Sequence, residues 1–127
     1  MKKIKAGTLY KGNDSDLLYL KESTARLLYS INTSSPDERV KIHTDLFPRL
    51  FKRLGKNTWF ETPFNCDYGQ YIEIGENCYF NHHCSIGDGG KVVIGNNVII
   101  GAGSVVTRNI SANTLAYGVP CREIRKL

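Results

Sequence analysis

Large apolar residues recur every six positions in the second half of the chain: Leu54, Phe60 and Cys66, then Ile74, Phe80 and Ile86, then Ile94, Ile100 and Val106. The three triplets overlay at a fixed shift of twenty residues, because two further residues, Ile72-Glu73 and Val92-Val93, follow every third hexad. A period of six suits neither a helix face, which needs about 3.6, nor the simple alternation of a half-buried strand. It fits a coil of three short flat faces, each sending one apolar side chain inward. Stacked coils of this kind bury a core that no single coil can bury. The pattern predicts a hexapeptide β-solenoid of about three coils over residues 54–113.

The remaining hexad positions agree. Gly55, Gly75, Gly87, Gly95 and Gly101 each follow an apolar residue and are expected at corners with positive φ. Asn57, Asn77 and Asn97 also suit corners, because asparagine tolerates the left-handed region. Thr58, Cys78, Cys84, Val98 and Ser104 are small or branched and are expected as a second inward position.

Before residue 54 the period changes to a helical one. Asn13-Asp14-Ser15-Asp16 offers a helix start, with Leu17, Leu20, Leu27, Leu28 and Ile31 near one face. Asn32 to Pro36 breaks that helix. Ser35-Pro36-Asp37-Glu38 is a capping box with proline at the first helical position, so a second helix begins there. Pro48 should kink or divide it.

Composition narrows the class. The chain has 127 residues, 41% of them hydrophobic, and a formal net charge of +5. The basic excess gathers at Lys2, Lys3 and Lys5, at Lys52, Arg53 and Lys56, and at Arg122, Arg125 and Lys126. Such clusters suit an anionic ligand or simply a solvated face. No aromatic-basic platform or groove-reading motif points to nucleic acid. No apolar run reaches membrane-spanning length, and Met1 to Lys5 lacks the core of a signal peptide. The four cysteines, Cys66, Cys78, Cys84 and Cys121, lack CxxC spacing and read as buried free thiols, which places the protein in the cytoplasm. No metal site is indicated.

The closing segment carries a more specific signal. Ile100-Gly-Ala-Gly-Ser-Val-Val-Thr107, followed by Ala116-Tyr-Gly-Val-Pro-Cys-Arg-Glu-Ile-Arg125, resembles the end of hexapeptide acyltransferases. Ala6-Gly7-Thr8-Leu9-Tyr10, the two helices, and Glu61-Thr62-Pro63-Phe64-Asn65-Cys66-Asp67-Tyr68-Gly69 resemble the maltose and galactoside O-acetyltransferase branch, end to end. The resemblance implies a mainly β fold, a left-handed parallel β-helix after an α-helical N-terminal segment (1–53), with a C-terminal tail from 114 to 127. It further implies a homotrimer that transfers an acetyl group from acetyl-CoA to a sugar hydroxyl, at clefts between subunits.

Carried over position by position, Ala102, Thr107, Arg122 and Arg125 match the segment that contacts CoA. Small residues there admit the pantetheine arm, and guanidinium groups pair with phosphate. Alternatively, these are small coil residues and a solvated tail. Asp67, Asn81 and Asp88 match the stretch lining the acceptor site, or are corner residues bonding their own backbone. The family's general base is a histidine in a Gly-His-Pro segment between coils, and this chain lacks that segment together with about three coils. Three coils at ~4.8 Å spacing give a solenoid only about 15 Å tall. Of the three histidines, His43 lies in the second helix and reads as a surface or packing residue. His82 and His83 are adjacent in the middle coil beside Asn81. They are the candidates for a replacement base, or a solvated corner pair. The alternative function is a catalytically degenerate trimeric scaffold or CoA-binding remnant.

Overall fold

A computed structural model describes residues 15–127, so the expected helix start at Asn13-Asp14, the lysine cluster at Lys2 to Lys5 and the motif at 6–10 lie outside the described residues. Helix α1 spans Ser15–Asn32 and buries Leu17, Thr24, Leu28 and Ile31, a stripe at helical spacing. Leu20 and Leu27 are half-buried. The helix is fixed by polar bonds that hydrophobic spacing does not show. Thr24 Oγ1 donates to Tyr68 O at 2.6 Å, and the Asn32 amide both donates to Phe64 O (2.8 Å) and accepts from Phe64 N–H (3.0 Å).

The second helical run starts at the expected box. The Ser35 N–H donates to Glu38 Oε1 at 3.1 Å, ahead of a 3₁₀ turn, Pro36–Glu38. Helix α2 (Arg39–Lys41) then opens into a π-turn, Ile42–Leu46, before helix α3 (Phe47–Leu50). Pro48 explains the wide turn. It has no N–H, and its ring would crowd the carbonyl one turn back. The run relaxes by bonding Phe47 N–H to Ile42 O and restarts with proline in its first turn.

The solenoid follows as three parallel sheets. Strands β1 (Arg53–Leu54), β4 (Ile72–Ile74) and β7 (Val92–Ile94) form the first. Strands β2 (Trp59–Phe60), β5 (Tyr79–Phe80) and β8 (Val98–Ile100) form the second, and β3 (Phe64–Cys66), β6 (Cys84–Ile86) and β9 (Val105–Val106) the third. The register is the twenty-residue shift: Leu54 pairs with Ile74 and Ile74 with Ile94, and Phe60 with Phe80 and Phe80 with Ile100. Seven of the nine hexad residues are buried, while Leu54 and Cys66, at the end under the helices, are half-buried against the core. All five small inward positions are buried. Cys66, Cys78, Cys84 and Cys121 are free thiols.

A partial fourth turn escapes the hexad count because it is four residues short. Ile110 bridges to Ile94, and strand β10 (Thr114–Tyr117) places Thr114 beside Val98 and Ala116 beside Ile100, a shift of sixteen. The segment expected as a tail therefore begins by extending the second sheet. Strand β11 (Arg122–Lys126) then turns back antiparallel along β10, and its charged, exposed side chains line the sheet edge. At the other end, the aromatic core closes the solenoid. Phe47 from α3 stacks on Phe60 (4.4 Å between ring centroids), and Phe60 stacks on Phe80 (4.6 Å).

The glycine expectation needs correction. Gly55, Gly75, Gly87, Gly95 and Gly101 do not have positive φ; Asn57, Asn77 and Asn97 do, at 56–59°, joined by Asn113 at 59°. Four of the five glycines are required by close approach between coils instead. A Cβ on Gly75 would lie 2.3 Å from Asn96 Oδ1 and 2.8 Å from the Gly95 carbonyl carbon. Gly87 alone has room, its Cβ position meeting Thr107 Cγ2 at 3.6 Å. Among the described residues, no helix is long and apolar enough to cross a membrane.

Candidate functional site

The turn from the second sheet to the third stacks residues 61–63, 81–83 and 101–103 in one corner column. His83 N–H donates to Pro63 O at 3.0 Å, and Gly103 N–H donates to His82 O at 2.9 Å. This register gathers Asn81, His82, His83 and Ala102, with His82 between Thr62 and Ala102. The two histidines differ in kind. The His82 backbone N–H donates to Asn81 Oδ1 (2.8 Å), and its Nδ1 lies 2.7 Å from Thr62 O. A carbonyl oxygen only accepts, so Nδ1 carries the proton and Nε2 is the basic nitrogen on an exposed ring. His83 is exposed, sits in the left-handed region at φ 64°, and its ring has no hydrogen-bond partner among the described residues. Its equivalent one coil on, Gly103, has φ 72°.

The other predicted acceptor residues lie at a different corner, between the third sheet and the first. Asp67 is exposed there and lines a cleft of about 380 Å³ with Lys21, Tyr29 and Asn65. Asp88 has no exposed surface. Its Oδ1 accepts the Asp67 and Tyr68 N–H groups (2.9 and 3.0 Å), and its Oδ2 accepts Gly69 N–H at 2.8 Å. Burial pushes the Asp88 carboxyl up, and the three N–H donors oppose that. Direct acceptor contact by Asp88 is thus corrected: the side chain holds the 67–69 loop from beneath. Within one chain, the Asp67 corner and the His82 corner do not converge.

The CoA candidates are also divided. Ala102 is exposed on the histidine corner, whereas Thr107 lies on the Asp67 corner over Gly87. Arg122 and Arg125 are exposed on β11, opposite Tyr117 and Leu115. Each donates through Nη1 to a neighbouring carbonyl of its own segment, Cys121 O at 3.2 Å and Lys126 O at 3.1 Å.

A polar group missed at the sequence level borders His82. Glu61 accepts from the Trp59 indole N–H (3.3 Å) and from Tyr79 OH (3.0 Å), and Arg39 Nη1 lies 3.6 Å away. Partial burial opposes its ionisation, but the Tyr79 and Trp59 hydrogen bonds, the His82 ring when protonated and the Arg39 charge prevail, holding the carboxyl below its usual range. His43 closes this side. Its Nδ1–H donates to Arg39 O (2.7 Å), its Nε2 accepts Phe60 N–H (3.0 Å), and its ring stacks on Trp59 at 3.7 Å. With both nitrogens engaged and its pKa lowered chiefly by burial, it is a packing residue, as its helical position suggests. The only sequence signal for the group was Glu61 in the Glu61-Thr62-Pro63 stretch. Arg39 and His43 reach it only through folding. No cluster of three or more His, Cys, Asp or Glu residues that could hold a metal occurs among the described residues.

A three-faced parallel solenoid whose inward apolar residues recur every six positions defines the hexapeptide-repeat class. The chain is 33% identical to protein YJL218W of Saccharomyces cerevisiae, provisionally named an acetyltransferase, with 100% of this chain and 92% of the relative covered. It is 28% identical to the galactoside O-acetyltransferase of Escherichia coli, with 98% and 88% covered. Its fold matches a galactoside acetyltransferase solved in complex with coenzyme A at a TM-score of 0.74 and 29% identity, covering 97% of this chain and 88% of that one. It also matches a maltose O-acetyltransferase from Clostridium difficile at 0.60 and 27%, covering 98% and 95%. No protein-family model matches the chain. The chain belongs to the hexapeptide-repeat acetyltransferases, in the maltose and galactoside O-acetyltransferase branch.

Proposed function

We propose that the protein transfers the acetyl group of acetyl-CoA to a hydroxyl of a sugar acceptor, with His82 as the general base. The observation that carries this reading is the fixed tautomer of His82, whose Nδ1–H is tied to Thr62 O while the exposed ring offers Nε2. As the acceptor oxygen attacks the thioester carbonyl, Nε2 takes its proton, and the proton then passes to the departing CoA thiolate. His83, unheld and in a strained backbone region, is the poorer base. Ala102, Thr107, Arg122 and Arg125 are proposed to hold CoA, and Asn81 and Asp67 to flank the acceptor. Because these groups lie on two corners, a homotrimer that sets one subunit's Asp67 corner against another's His82 corner would complete the site.

The alignment lengths support the internal deletion. The pairing with the yeast relative covers 183 positions while this chain has 127 residues, so 183 − 127 = 56 positions lack a counterpart here. The whole chain is aligned, so these positions fall between its residues. Their number is close to three coils of twenty.

The test is release of CoA thiol from acetyl-CoA with a panel of sugar acceptors, using a longer relative as positive control. Acceptor-dependent release is expected, with His82→Gln lowering kcat by at least about 10²-fold and His83→Gln changing it little. Equal loss in both variants would remove the His82 assignment. Absence of release alongside an active control would favour the scaffold alternative.

A further inference from the structure

Beside the histidine corner lies a cleft of about 200 Å³ between the second helical run and the first coil, walled by Ser35, Arg39, His43, Phe60, Glu61 and Thr62. Its chemistry is that of a hydroxyl-binding site. Glu61 is an ionised acceptor preset by Trp59 and Tyr79, so it needs no reorganisation to receive a hydroxyl proton donor. Arg39 stands against it as a donor, with a half-exposed side chain, and meets Glu61 through a single contact at 3.6 Å. Several guanidinium N–H groups therefore remain to be used. One acceptor and one multiple donor side by side match two adjacent hydroxyls of a sugar ring, one donating and one accepting. The cleft shares a residue with the proposed base: Thr62 lines the cleft and its carbonyl oxygen fixes His82. The cleft beside Asp67, by contrast, opens at the other corner.

We propose that the Arg39–Glu61 cleft is a further acceptor subsite of this chain, binding a vicinal diol of a sugar so that a neighbouring hydroxyl faces His82. The assignment rests on the reading of His82 as base, yet binding in this cleft is measurable without turnover. Trp59 is the single tryptophan of the chain, and its indole donates to Glu61. A sugar that engages Glu61 changes the surroundings of that indole.

The experiment is titration of the full chain with methyl hexopyranosides while following Trp59 emission, in the wild type and in Arg39→Ala, Glu61→Gln and the control Asp45→Asn. A saturable change is expected, weakened about tenfold by Arg39→Ala and by Glu61→Gln and unaltered by Asp45→Asn, an exposed carboxylate outside this cleft. In turnover, the same two variants should raise the acceptor KM about tenfold and leave the acetyl-CoA KM in place. Circular dichroism melts of each variant separate lost binding from lost folding, and Arg39→Lys, which keeps the charge but loses the fork, gives an intermediate effect. Constant emission in the wild type overturns the proposal, as does an unchanged midpoint in both cleft variants. A rise in acceptor KM on Asp67→Asn alone moves the subsite to the other corner. If emission responds as expected but His82→Gln is fully active, the cleft stands and the base assignment fails.

Discussion

At the residue scale, the same side-chain type serves opposite purposes according to its partners. His43 and His82 both give Nδ1–H to a backbone carbonyl, but His43 also accepts Phe60 N–H through Nε2. Protonation of His43 would remove that acceptor, and burial already disfavours its charged form. The native state therefore binds fewer protons than the unfolded chain below the ordinary histidine range of about 6.5. Stability should be fully present above that pH and decline as pH falls through the lower native value. Urea melts from pH 5 to 7.5 should show this slope, and His43→Gln should flatten it. Asp88 is a second residue with an unexpected task. Asp88→Ala would leave three N–H groups of the 67–69 loop without their acceptor, each worth about 1–3 kcal/mol if no water replaces it. A loss of about 3 kcal/mol or more is expected in the same melts.

At the scale of elements, the inward hexad residues, the insertion at every third hexad and the asparagine corners were legible in the sequence. Each is a consequence of repetition, which a single chain displays directly. The glycines were legible as corner residues, but not their reason. Spacing along the chain cannot show that residue 75 lies against residues 95 and 96, whereas folding brings them within contact. Gly75→Ala should therefore destabilise by about 1–3 kcal/mol through coil separation. Gly89→Ala, where a Cβ meets nothing within 4 Å, should stay within about 0.5 kcal/mol. Paired thermal melts of the two variants check the contrast. The π-turn before Pro48 has the same character: proline announces a break, but packing of Phe47 on Phe60 decides that the run widens rather than ends.

At the scale of the whole molecule, three full coils and a short fourth turn leave candidate groups on two corners of one chain. In the proposed homotrimer, assembly would join them, and multi-angle light scattering at micromolar concentration should give three times the chain mass. A monomer would remove the intersubunit part of the site while leaving the Arg39–Glu61 cleft intact, because that cleft lies within a single chain.

What the sequence determined by itself was everything that repeats or matches by position: the solenoid, its phase, the helical cap before it and the family branch; it also offered His82 and His83 as candidates for a base. These depend on period and local chemistry, and both are present in a linear string. Tertiary structure decided which histidine is held and which is loose, that Asp88 faces a loop instead of solvent, that the fourth turn exists, and that Arg39, Trp59 and Glu61 meet beside Thr62. Those outcomes depend on contacts between a helix and a coil some twenty residues away, or between coils, and a contact of that kind leaves no periodic trace in the chain.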